Sequence, residues 1–169
     1  TVDMSDAFPY MRRRGMLALI GVSSAVATPP AFASGAVGPA QLARLAPMLR
    51  KARDAGLCRV LMIHHPPLDG TVSARKALRD AAAFRAVLQA EGVELVLHGH
   101  SHRHHHQTLE TRDGPASVIG VPSASSLYPE AAAYHLYHIR PTAAGWEIDV
   151  TARHATREQE MATGRCTRL

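Results

Sequence analysis

Val60-Leu61-Met62-Ile63-His64-His65-Pro66-Pro67 and Val93-Glu94-Leu95-Val96-Leu97-His98-Gly99-His100-Ser101-His102 decide how this chain is read. Each is a short apolar run that stops abruptly at histidine. Proline cannot donate to a sheet ladder, so the first run ends as a strand at Pro66. The second reads as another buried strand over 93–97, delivered into a turn rich in histidine. In open α/β sheets, ligands bind in the crevice at the carboxyl ends of the strands. Neutral imidazole is the commonest metal ligand, and two strand ends carrying it can face a pair of ions.

Outward from these runs the chain alternates. Leu17 to Val22 reads as a first buried strand between Gly15 and Ser23, and 39–55 as a helix with Pro39 in its first turn. Leu42, Leu45, Leu49 and Ala52 recur at helical spacing along it, and Gly56 stops it. A second helix begins near Ala74 or Asp80 and runs to Ala90, with Ala83, Val87 and Leu88 on one side and Gly92 as its terminator. Beyond His102 the pattern changes. Segments 106–110, 117–121, 134–140 and 146–153 read as a β meander, separated by turns at Asp113-Gly114, 122–129 and 141–145. The division expected is residues 1–156 as one unit and 157–169 as a polar, frayed tail.

The stretch Met11 to Ser34 imitates a secretory signal, with Arg12, Arg13 and Arg14, an apolar run and Ala31-Phe32-Ala33. The α/β context favours the strand reading, with the cytoplasm as the default location. No apolar stretch reaches the roughly 20 residues that span a bilayer, so no membrane partner is expected. Net charge is +5, but the excess is scattered arginine without interleaved aromatics. That patterning argues against dedicated nucleic-acid binding. Cys58 and Cys166 lie far apart with no CxxC spacing, so neither zinc ribbon nor disulfide framework is signalled. Ser123, Ser125 and Ser126 lack the Gly-x-Ser-x-Gly context of a nucleophile. More than half of the 11 histidines fall between His98 and His106.

An apolar strand plus His64-His65-Pro66-Pro67, then an apolar strand plus Gly99-His100-Ser101-His102, resembles the late half of the calcineurin-like metallophosphoesterase pattern. The pair is specific; either piece alone is weak. The resemblance implies an α/β fold, the C-terminal part of a four-layer α/β/β/α sandwich. It also implies metal ligation by His64 and His100 at one ion and by His102 at its neighbour. His65 is expected to buttress a ligand or touch substrate, and His98 to point away from the site. The implied function is hydrolysis of phosphate mono- or diesters by two divalent ions (Mn, Fe, Zn or Co) on a small phosphate-ester substrate, most like the bacterial cyclic-nucleotide phosphodiesterase-like branch.

The family's earlier Asp-x-His, Gly-Asp-x-x-Asp and Gly-Asn-His-Asp or Gly-Asn-His-Glu motifs are not in this sequence, and Asp3 and Asp6 lack the neighbours that would make them ligands. Three neutral imidazoles cannot balance two dications, and hard or borderline cations want oxygen donors as well. The chain alone is therefore expected to be metal-poor and inactive, its two ions incompletely ligated. Two other readings stand beside this one: a non-catalytic histidine-rich metal-binding fragment or module, and a secreted metal-binding protein starting at Met11. Oligomeric state is open, with an exposed β edge as one surface for pairing.

Overall fold

A computed structural model describes residues 7–125, 132–155 and 161–168. Asp3, Asp6 and Ser126 lie outside the described residues. In chain order the elements are β1 (Tyr10–Arg14), β2 (Leu17–Gly21), α1 (Pro39–Asp54), β3 (Cys58–Met62), α2 (Ala81–Glu91), β4 (Leu95–His98), β5 (His105–Thr111), β6 (Gly114–Gly120), β7 (Ala133–Thr142), β8 (Gly145–Ala155) and β9 (Met161–Arg168). A short 3₁₀ turn at Ala74–Lys76 precedes α2.

A six-stranded sheet runs β1-β2-β3-β4-β6-β5, and a three-stranded sheet runs β7-β8-β9. Within the larger sheet β2, β3, β4 and β6 are parallel, and the edge strands β1 and β5 are antiparallel to their neighbours. The two crossovers β2–α1–β3 and β3–α2–β4 step the same way across the sheet, so crossovers of one hand put both helices on one face. Leu45 and Leu49 of α1 and Phe84 and Leu88 of α2 pack there on Ile20, Leu61, Val96 and Val118. The opposite face presents Cys58, Val60, Leu95 and Ile119 to Ile148 and Val150 of the smaller sheet, with Tyr137, Ile139 and Trp146 around them. The result is a helix layer, a sheet and a second sheet, α/β/β. A strand covered on both faces reads as a near-continuous apolar run, which is why Val60 to Ile63 shows no alternation.

Local chemistry explains the boundaries. Pro39 opens α1 as its first helical residue, and the helix runs on through Pro47, which cannot donate to the carbonyl four residues back. Gly92 ends α2 with φ 79°, a left-handed conformation that glycine adopts without a Cβ penalty. Asp80, at the start of α2, sends its carboxylate across the fold, accepting from the N–H groups of Val37 and Gly38 at 3.0 and 2.7 Å.

The apolar run in the signal-like stretch is the strand expected of it, β2, paired on one side with β1 and on the other with β3. The Arg12 to Arg14 cluster of the same stretch lies in β1, an edge strand whose exposed arginines discourage further pairing. Segments 106–110 and 117–121 do not join a meander with the later strands. They form the β5–β6 hairpin, and β6 inserts parallel beside β4 because Ala116, Val118 and Ile119 are buried. Residues Met161–Arg168, read as part of a polar tail, form β9 against β8.

Candidate functional site

The carboxyl ends of β2, β3 and β4 lie side by side. The ladder continues past the strands: Ile63 N–H donates to Leu97 O at 3.0 Å and Gly99 N–H to His64 O at 3.1 Å. This registers the His64-His65 corner against the Gly99-His100 turn. The ring nitrogens His64 Nε2 and His100 Nδ1 stand 3.0 Å apart. His100 and His102 have φ of 67° and 56°, in the left-handed region that non-glycine residues enter only when the surroundings hold them there. Both belong to the turn the sequence singled out.

His65 does a different job. It is 6% exposed, and its Nε2 lies 3.0 Å from the Ala33 carbonyl, to which it donates. Its Nδ1 then accepts from the Ser24 hydroxyl at 2.7 Å. Both ring nitrogens are thus occupied by protein. A Cβ on Gly35 would sit 2.4 Å from His65 Nδ1, so only glycine permits this approach. Sequence reasoning did not find Ser24. A lone serine after a strand carries no signal until the β2–β3 pairing brings it against His65.

Burial is the first cause of depressed basicity at the site. It holds His64 below its ordinary value, with His65 and then His102 adding to the effect. His100 is pushed down to about 4 by burial first, then by His65, His64 and Lys76, against an opposing hydrogen bond at the Lys76 backbone. That backbone contact falls short of good hydrogen-bond geometry, and His100 Nε2 is buried without a partner. Neutral imidazoles with available lone pairs are what the site offers at neutral pH. Beside them opens a cleft of about 410 Å³ lined by Thr71, Ser73, Lys76, His100, His102 and Arg103. Lys76 and Arg103 give its wall a cationic character suited to an anion. His98 is 4% exposed, and its ring lies over Gly120.

The opposite ends of the same strands are occupied structurally. A cleft of about 280 Å³ there is lined by Glu94, Asp113 and Trp146 among others. Its carboxylates are engaged by Arg59, which donates from Nε to Glu94 at 3.0 Å and from a terminal nitrogen to Asp113 at 3.0 Å. At the histidine end, among the described residues, His64 Nε2 and His100 Nδ1 pair only with each other and His100 Nε2 has no partner.

Among solved structures, a dimetal phosphatase from Danio rerio matches with a TM-score of 0.57 and 18% identity, over 79% of this chain and 40% of that one. The fold is metallophosphoesterase-like. A Staphylococcus aureus protein assigned as a 5′-nucleotidase, solved in complex with alpha-ketoglutarate, aligns at 12% identity and a TM-score of 0.39, over 95% of this chain and 28% of that one. The chain thus spans well under half the length of either structure. No protein-family model matches the sequence, and no curated protein matches it.

The Danio rerio protein is by its name a two-metal enzyme, and the residues present here can be tested against a divalent ion. Ligand nitrogens about 2.0–2.1 Å from one ion lie about 3.0–3.4 Å from each other at right-angled to tetrahedral spacing. The 3.0 Å separation of His64 Nε2 and His100 Nδ1 meets that condition. However, no group of three or more His, Cys, Asp or Glu side chains arranged to hold a metal occurs among the described residues. His102 lies near enough to disfavour His64 protonation without joining such a group. The donors fit two corners of one ion's shell and do not fit a complete two-metal centre. Among the described residues no helix is long and apolar enough to cross a membrane.

Proposed function

We propose that this chain supplies the histidine side of a two-metal phosphate-ester hydrolase site, with His64 and His100 facing one ion and His102 the second. The observation that carries the reading is the 3.0 Å approach of His64 Nε2 to His100 Nδ1 across adjacent strand ends of a metallophosphoesterase-like fold. His65, locked between Ser24 and Ala33, buttresses the corner that presents His64. Lys76 and Arg103 would meet the phosphate of a small phosphate-ester substrate in the cleft beside the histidines. Within that class, a cyclic-nucleotide diester is the substrate suggested by the resemblance of the His64-His65-Pro66-Pro67 turn. The missing oxygen donors would come from chain outside this sequence, in the manner of the family's earlier aspartate and asparagine motifs.

The second reading, a non-catalytic histidine-rich fragment or module in which no two-metal centre forms, is favoured by one observation: the described residues assemble no group of three or more His, Cys, Asp or Glu side chains that could hold a metal ion. One experiment separates the two. Hydrolysis of bis(p-nitrophenyl) phosphate with Mn²⁺ is measured for this chain and for a version extended upstream through any Asp-x-His and Gly-Asn-His segments. The hydrolase reading expects turnover only in the extended form, abolished by His100→Ala. No turnover in either form, with metal bound normally, would leave the module.

A further inference from the structure

The loop that holds His65 also presents an aromatic ring for which the strand-end site has no use so far. Phe32 N–H donates to Pro29 O at 3.1 Å, closing a β-turn over 29–32. Pro30 sits at its second position and Ala31 at its third, where φ is 68°. That is the pattern of a type II turn, whose third position favours glycine. An alanine there occupies the left-handed region at a conformational cost, and such residues persist only where the surroundings hold them. Two further bonds do so. The Thr28 hydroxyl donates to the Phe32 carbonyl at 2.8 Å, and Ala33 N–H donates to Arg75 O at 3.0 Å. The Phe32 backbone is thus engaged at both its polar groups, yet the residue stays 47% exposed. Phe32 belongs to none of the buried apolar clusters, so its ring is not spent on packing the core.

This ring stands close to the strand-end corner. The next residue, Ala33, accepts from His65 Nε2 at 3.0 Å, and the ring centres of His65 and His100 are 4.3 Å apart. The guanidinium carbon of Arg75 lies 5.8 Å from the Phe32 ring centre, and the residue after Arg75 is Lys76, in the wall of the cleft beside His100. One short 3₁₀ turn therefore carries both the cation against Phe32 and the cation beside the histidines. We propose that Phe32, with Arg75, is a specificity-determining platform that stacks the nucleobase, or a similar flat aromatic group, of a phosphate ester whose phosphate lies at Lys76 and the histidines. The place given to the phosphate rests on the hydrolase reading; the place given to the aromatic group rests on the turn and its ring.

The chemistry suits that class of ligand. Every base has a π-face, so an exposed aromatic side chain stacks a base without reading its edges. A guanidinium beside the ring adds a flat, delocalised cation that itself stacks on aromatic faces. A ring whose backbone is already fixed loses little freedom when a ligand settles on it, so the cost of ordering the turn is met before binding. A sugar phosphate without a base offers nothing to the ring, and inorganic phosphate offers nothing beyond the cleft. The platform therefore predicts a preference between ligands that carry the same phosphate and differ only in the aromatic group.

The test is NMR titration of the ¹⁵N-labelled whole chain with AMP, ribose 5-phosphate, inorganic phosphate and adenosine. AMP is expected to bind about 5- to 20-fold more tightly than ribose 5-phosphate, the lower part of the range for stacking one base on an aromatic side chain. Phe32→Ala is expected to erase that preference without changing the affinity for ribose 5-phosphate, and Phe32→Tyr, which keeps a ring, to retain it. The exposed position lets both variants fold, and circular dichroism checks that they do. Equal affinity for AMP and ribose 5-phosphate, or a preference unchanged by Phe32→Ala, overturns the platform. If neither phosphate ester binds, adenosine decides alone. Adenosine shifts at Phe32 and Arg75 that Phe32→Ala removes, with no response of Lys76 or His100 to inorganic phosphate, would keep the platform and remove the hydrolase reading. Adenosine shifts that are absent, or that survive Phe32→Ala, overturn the platform whatever inorganic phosphate does.

Discussion

Ser24→Ala removes one hydroxyl 41 positions away in sequence from the ring it holds, and the structure fixes what that loss costs. Ser24 is 1% exposed and His65 6% exposed, so water does not take the place of the missing oxygen. The hydroxyl donates to His65 Nδ1 at 2.7 Å and also accepts, at 3.4 Å, from the His65 backbone N–H. A buried polar group left without its partner costs about 1–3 kcal/mol. With one full acceptor and one long-range donor stranded, the expectation falls in the upper half of that range, about 2–3 kcal/mol. For a chain of this size that lowers the melting temperature by about 4–12 °C. Urea unfolding gives the free energy directly, and a double-mutant cycle with His65→Ala isolates the pair. Once the imidazole is gone, the serine has little left to stabilise, so the two losses must fall short of additivity by at least about 1 kcal/mol. A Ser24→Ala loss below about 0.5 kcal/mol, or simple additivity, would refute the claim that Ser24 positions His65.

Two further outcomes follow from the charged groups. Arg59 is 2% exposed and binds Glu94, Asp113 and the Glu91 carbonyl. Breaking a buried ion pair costs about 3–5 kcal/mol, and Arg59→Met is expected near or below the lower end, about 2–3 kcal/mol, since Glu94 and Asp113 keep some water contact. A loss under about 1 kcal/mol in urea would show the network to be dispensable. Glu91 is held below the ordinary carboxyl value of 4.5 chiefly by its hydrogen bond from Arg50, with the charges of Arg50, Arg53 and Arg112 adding to it against burial. A carboxyl with a lowered folded value stabilises the fold above its unfolded value and loses that contribution as pH falls through the folded one. The gap in urea midpoint between wild type and Glu91→Gln should therefore be full at pH 7 and close below about pH 4.5. A gap that widens on acidification contradicts the assignment.

The fold class and the strand-end corner were legible because both rest on local pattern. Val60 to Ile63 and Leu95 to Leu97 are unbroken apolar runs, and histidine follows each at once with proline or glycine just beyond. Sheet membership was not legible. Gly114–Gly120 mixes Pro115 and Ser117 with apolar residues, and only the packing of Val118 under the helices and Ile119 against the small sheet places it beside β4. Strand β1 was hidden because an exposed edge strand, Tyr-Met-Arg-Arg-Arg, has no apolar face to announce it. The Ser24–His65 bond was hidden for a third reason: it joins residues far apart in sequence, and nothing short of the strand order brings them together.

Strand order also explains why the chemistry gathers at one end of the sheet. At the amino ends of β3, β4 and β6, a single buried arginine draws in Glu94 and Asp113, and the charges there are spent on holding the sheet together. At the carboxyl ends, among the described residues, no ion pair of that kind binds the histidines. His100 instead sits in a left-handed backbone conformation with Nε2 buried and unpaired, beside His64 at 3.0 Å. Backbone strain and a stranded buried nitrogen each destabilise the chain, and the hydrogen bond between the two imidazoles leaves that nitrogen unpaired. A cation at that corner would engage the imidazole lone pairs, and its binding energy would offset the cost of holding the turn in place. The arrangement is therefore coherent as part of a ligand site and costly as anything else, which is why the functional reading rests on this corner and not on the larger charge cluster at the other end.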